Sequence, residues 1–231
     1  MTPAEIDSDA LVQARHHDGW VEVHLDRPER RNALSHALVD QLVAALQAAA
    51  DDGVRVAVLS AAAPVFCAGG DREEVHTRPV ASDRLLELLR ETELFVIARV
   101  EGPVLGAGVA VVRSCPVAIG TPEAGFSLPE ARMGVFPEPV AYLEGTVSRR
   151  RALDVAVRSR FIPAAEAEAA GLLTVMVAPE EVDDEVASWV AILRERPEVA
   201  DQARLHWRRE VDRECRGRAA WLRAVVAKGQ R

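Results

Sequence analysis

The chain has 231 residues, enough to bury a full core as one generous domain or as a domain with a small helical appendage. Apolar residues make up 49% and charged residues 28%, the balance of a folded globular protein rather than a fibrous or disordered one. A net charge of −8 disfavours nucleic acid as a partner, and no apolar run approaches the length needed to cross a bilayer.

Residues 11–15 and 20–25 read as two short strands around the turn His16-His17-Asp18-Gly19. Arg27 to Asn32 is a charged loop containing Pro28. From Ser35 the apolar stripe Leu38, Leu42, Val43, Leu46 predicts a helix ending near Asp51-Asp52-Gly53. Val54 to Leu59 is a compact apolar run with the look of a buried parallel strand. It is followed by the glycine turn Phe66-Cys67-Ala68-Gly69-Gly70-Asp71 and an acidic segment from Arg72 to Ser82.

A helix over Asp83 to Glu93 and a strand over Phe95 to Val100 come next. The second glycine turn, Gly102-Pro103-Val104-Leu105-Gly106-Ala107-Gly108, leads into a helix over Val109 to Ser114 and a strand over Pro116 to Ile119. Ser148 to Arg158 reads as helix, and the stretch from Pro163 as a helix stopped by Gly171. Val175 to Val177 is a last short strand, and a three-helix tail follows, anchored by Trp189, Trp207 and Trp221. Repeated strand–turn–helix units predict an α/β core with parallel strands. The expected organisation is a core over 1–178 and a helical region over 179–231 that packs on the core or on a neighbouring subunit.

Cys67, Cys115 and Cys215 are odd in number and widely spaced, which fits reduced thiols in a cytosol. The segment Met1 to Asp9 is acidic and lacks an apolar signal core, so a soluble cytoplasmic protein is expected. His16 and His17 have no metal-type partners, and no metal, nicotinamide or flavin motif is present. Each glycine turn stands where a strand gives way to a helix. Such a junction leaves N–H groups without intrahelical partners, and two of them aimed at one point can hold an oxygen that gains negative charge. Leu128-Pro129-Glu130 can bring a carboxylate beside that point.

Leu25-Asp26-Arg27-Pro28 with Asn32-Ala33-Leu34, then FCAGGD, GPVLGAG and GFSLPEARMGVFP in that order, resembles the crotonase (enoyl-CoA hydratase/isomerase) superfamily. The likeness runs from about residue 20 to residue 178 and includes the later AAEAEAAGLLTVMV stretch. It implies a crotonase-like spiral of ββα units with a C-terminal helical layer, assembled as a homotrimer or hexamer. The implied chemistry is an enolate of an acyl-CoA or acyl-carrier-protein thioester, with CoA as part of the substrate and no other cofactor. By motif position the amide donors are Gly70 and Ala107, with Glu130 as the proton-transfer group.

The chain also departs from that pattern. Hydratases of the family use two glutamates, and the first of those positions falls here on Ala110. Adding water needs one group for the water and another for the α-carbon proton. Isomerisation, or decarboxylation with or without carbon–carbon bond formation, is therefore preferred over hydration. Ala110, with the family's glycines replaced after Pro137, also admits a binding or assembly subunit without catalysis. The short stretch Ala68-Gly69-Gly70-Asp71-Arg72-Glu73-Glu74-Val75 is similar to that of carboxymethylproline synthases, and within the first glycine turn Ala68, Gly69 and Asp71 are substrate-contact candidates.

Arg113 shares a helix face with Ala110 and is expected either to grip a substrate carboxylate or to form a structural ion pair with Glu123 or Glu101. His76 is either a second proton carrier or a solvated loop residue, and Tyr142 either touches the acyl group or packs. Cys67 is expected to pack rather than to act as a nucleophile. Arg27, Arg30, Arg31 and Lys228, the one lysine, are candidates for the CoA phosphates, though exposed arginines are common in this chain.

Overall fold

The computed structural model describes residues 10–74 and 82–229, with side chains to residue 213. Its first two strands, β1 (Val12–His17) and β2 (Trp20–Leu25), form the expected hairpin, and Ser35 caps α1 (His36–Asp51) by accepting from the Leu38 amide at 3.2 Å. The stripe Leu38, Leu42, Val43 and Leu46 is buried, as its spacing requires. Then come β3 (Val56–Ala61), α2 (Ser82–Glu91), β4 (Phe95–Val100), β5 (Pro103–Leu105), α3 (Ala107–Ser114), β6 (Val117–Gly120) and β7 (Gly125–Ser127). A 3-10 turn over Pro129–Met133 leads to α4 (Val140–Leu143), α5 (Arg149–Arg158), β8 (Ile162–Pro163), α6 (Ala164–Ala169) and β9 (Val175–Met176).

The main sheet runs β1-β2-β3-β4-β6-β9, antiparallel in its first pair and parallel in the rest. Its central strands are buried on both faces, so their apolar residues divide by alternation. Ala57, Leu59, Val96 and Ala98 join the main core under α1, α2 and α3. Val56, Val58, Phe95, Ile97, Val117 and Ile119 form a second cluster with Val182, Val186, Val190 and Leu193 of α7 (Val182–Glu195). One helix thus covers the back of the sheet.

A smaller sheet, β5-β7-β8, carries the second glycine turn; sequence reading takes β5 as plain turn and gives β7 no strand. The tail holds two α-helices rather than three: after α7, a single helix α8 (Pro197–Gly229) runs on without a break. No glycine or proline interrupts it between Glu198 and Arg216, so nothing in the chain stops the helix there. Its first half packs against α3, α4 and β4, and Arg204 donates to the Thr92 carbonyl at 2.8 Å. Among the described residues no helix is long and apolar enough to cross a membrane.

Candidate active site

The two glycine turns meet because the first one runs beside β5. Cys67 bridges Val104 in parallel, with the Cys67 amide donating to Pro103 O at 3.3 Å and the Leu105 amide to Cys67 O at 2.8 Å. Three residues further along each strand stand Gly70 and Ala107. The turns touch at Gly69, whose φ is +87°: a Cβ there would lie 3.0 Å from Leu105 O and 3.3 Å from the Ala107 nitrogen. Only glycine fits that position. Ala107 opens α3, where helix geometry leaves its N–H without an intrahelical acceptor. Among the described residues the amides of Gly70 and Ala107 meet no protein acceptor, and both residues line one cavity of about 460 Å³.

Glu130 sits in the 3-10 turn after β7, and its Oε1 would be 2.7 Å from a Cβ on Gly106. The other oxygen, Oε2, is buried without a hydrogen-bond partner. Burial therefore pushes the carboxyl above the usual glutamate range, opposed only in part by its own main-chain N–H. A carboxyl in that state gives and takes protons more readily near neutral pH than an exposed one. Ala68, Gly69, Ala110 and Tyr142 border the same space.

A residue that sequence reading passed over also borders it. Glu138, between Pro137 and Pro139, lines the cavity with Glu130, so the missing carboxylate at position 110 does not leave Glu130 alone there. The segment drew notice only for the glycines it lacks. The signal available was an acidic residue held between two prolines just after the Glu130 turn.

Other candidates fall elsewhere. Arg113 does not border the cavity. It is 6% exposed, its Nε donates to Tyr142 O at 3.2 Å, and its guanidinium lies over the Trp207 ring at 4.9 Å. Of the partners expected for it, Glu101 is engaged by Arg99 instead. The reason is α8, which brings Trp207 to the face of α3 that Arg113 occupies.

Asp71 and Arg27 also lie off the cavity and hold one another at 2.6 Å, with side chains 7% and 15% exposed. Burial works to raise the Asp71 carboxyl, but the Arg27 hydrogen bond, the Glu73 amide and the two nearby guanidiniums hold it below the usual range. Arg27 further donates to Ala33 O, so it is spent on the fold rather than free for a phosphate. Arg30 pairs with Glu73 at the surface. Arg31 is exposed with φ +54°, and its carbonyl accepts from the Ala68 amide at 3.0 Å, which anchors the first glycine turn. Cys67 is buried and its thiol is pushed up to about 12, which suits packing and not nucleophilic attack. His76 and the Lys228 side chain lie outside the described residues.

A sheet of parallel ββα turns whose two glycine loops close on one cavity beside a buried carboxyl defines a crotonase fold. The sequence profile of the family Enoyl-CoA hydratase/isomerase matches residues 15–223, and the chain belongs to that family. It is 31% identical over 186 residues to the mitochondrial enoyl-CoA hydratase domain-containing protein 3 of Rattus norvegicus, covering 76% of this chain and 62% of that protein. The chain therefore spans about three fifths of that relative's length. Among solved structures it is similar to an enoyl-CoA hydratase of Mycobacterium smegmatis, with 28% identity, a TM-score of 0.79, and 94% and 91% of the two chains covered. It is also similar to an enoyl-CoA hydratase/isomerase of Pseudoalteromonas atlantica, with 25% identity, a TM-score of 0.82, and coverage of 95% and 91%.

Proposed function

We propose that the protein binds an acyl thioester of CoA or of an acyl carrier protein and moves a proton at the acyl carbons, as an enoyl thioester isomerase. The observation that carries this reading is the contact between the glycine turns at Gly69, with Glu130 directly above Gly106. The thioester oxygen sits between the Gly70 and Ala107 amides. Glu130, as carboxylate, removes a proton from C2. The C–H electron pair passes into the carbonyl, the oxygen takes the charge, and the two N–H groups stabilise it. Delivery of a proton from the Glu130 carboxyl, which exchanges with solvent, to C4 moves the double bond from C3 to C2 and restores the carboxylate.

Decarboxylation and carbon–carbon bond formation lose support, because Arg113, which could have gripped a substrate carboxylate, lies off the cavity with its guanidinium over Trp207. A second reading, hydration, is favoured by Glu138, which supplies the second carboxylate that water addition needs. A homotrimer or hexamer is supported by exposed apolar residues Leu153 and Val157 on α5, together with Met133 and Phe161, and light scattering tests it. The functional test is incubation with 3-enoyl and 2-enoyl CoA thioesters in deuterium oxide. Deuterium at C2 or C4 with a shifted double bond supports isomerisation, and a 3-hydroxyacyl product supports hydration. Thioester binding without exchange or product overturns both in favour of a non-catalytic binding subunit.

A further inference from the structure

The cavity wall formed by α2 and α8 carries charge where a hydrocarbon chain would need none. Arg90 of α2 and Asp212 of α8 both line it, with Arg90 Nε 3.6 Å from Asp212 Oδ1 and the side chains 20% and 24% exposed. That separation is an ion pair but not a hydrogen bond. Arg90 Nε is itself buried and has no hydrogen-bond partner.

The position along the cavity is fixed by α3. Arg90 borders a small void together with Ser114, the last residue of that helix, while Ala107 is its first. At 1.5 Å of rise per residue the two ends are about 10 Å apart. Arg90 thus stands at the end of the cavity away from the glycine turns, where the tail of an acyl group lies if its carbonyl is held at residues 70 and 107.

We propose that the acyl group taken by this site carries a neutral oxygen function, a keto or hydroxyl group, near its far end, held by Arg90 and Asp212. The inference rests on the thioester reading above. A keto oxygen accepts from the guanidinium, and a hydroxyl can also donate to Asp212. Plain hydrocarbon would cover both charged groups and return nothing for the water they lose. A carboxylate is disfavoured because Asp212, with its Oδ1 3.6 Å from Arg90 Nε, already balances that guanidinium and would repel a second anion. Sites built to hydrogen-bond a polar group discriminate strongly against analogues lacking it.

The test is calorimetric titration of the full chain with four CoA thioesters of one chain length, their far ends plain, keto, hydroxyl or carboxyl. The wild type is expected to bind the keto and hydroxyl forms about tenfold tighter than the plain form, with the carboxyl form weakest. Arg90→Met should bring keto and plain forms within about twofold of each other by the same reasoning. Asp212→Asn, which keeps shape and removes charge, should retain the keto preference and strengthen carboxyl binding severalfold; it also covers the case in which Arg90→Met fails to fold. A wild type that binds the plain form as tightly as the keto form overturns this inference alone. So does an Arg90→Met variant that weakens all four equally. Failure of all four thioesters to bind overturns the thioester reading as well.

Discussion

The carboxyl group of Glu130 stands over the Cα of Gly106, so close that a Cβ there would lie 2.7 Å from Oε1. Gly106 also has a φ of +53° and directly precedes the Ala107 amide. One residue without a side chain therefore sets both the opening of α3 and the seat of the acid.

Gly106→Ala tests that relationship. The new methyl group strains the backbone, at a cost on the order of 1–3 kcal/mol, and pushes the carboxyl aside. Urea unfolding should show that loss, and α-proton exchange should fall by about 100-fold or more, the range for losing one aligned donor. Exchange within a few-fold of wild type would separate Glu130 from the glycine turn.

Glu130→Gln should abolish exchange while retaining thioester binding. Because burial raises the folded-state pKa of Glu130, ionising it in the native protein is harder than in the unfolded chain. The folded state then holds the proton over a pH range in which the unfolded state has lost it, so this group lowers stability as pH rises through that range. The glutamine variant should melt higher than wild type at neutral pH, and the difference should vanish below the ordinary glutamate range. For the wild type, exchange should rise with pH to a midpoint above that range. A melting difference independent of pH would contradict the assignment.

The Arg27–Asp71 pair is structural and nearly dry. Removing one member leaves the other charge buried, so Asp71→Asn or Arg27→Met should each cost about 3–5 kcal/mol in chemical denaturation. The double variant should cost less than the sum of the two. Asp71 is held below its ordinary range, so its contribution is present above the unfolded-state pKa and is lost as pH falls through the folded value. Acid unfolding of the Asn variant should accordingly lack that step.

Glu138→Gln separates the two chemical readings. Under isomerisation by Glu130 alone, product formation should stay within about threefold of wild type, since a few-fold change is small beside what an essential proton carrier supplies. Under hydration it should fall by about 100-fold or more. Product analysis by mass spectrometry reads the outcome.

The strands and helices of the core were legible because alternation, helical spacing and glycine punctuation all agreed there. The strand Phe95–Val100 coincides with its apolar run to the residue, and α1 starts at the Ser35 cap that the sequence marks. The short strands β5 and β7 were not legible, since three residues carry no period and pair only through tertiary contact. Side-chain destinations were the least legible feature. Arg113 shares a face with Ala110 by helix arithmetic, but its direction is decided by Trp207, almost a hundred residues later on α8. Asp71 and Arg27 likewise looked like ligand contacts until the fold paired them. Glu138 needed the cavity itself to be noticed.

On the proposed function, the Gly70 and Ala107 amides receive one thioester oxygen beside Glu130. A crystal structure of Glu130→Gln with a bound 3-enoyl CoA thioester tests it most directly. The thioester oxygen should lie about 2.7–3.1 Å from both nitrogens, with residue 130 facing C2 and C4. A thioester lodged in the cavity with its oxygen away from either nitrogen would contradict it.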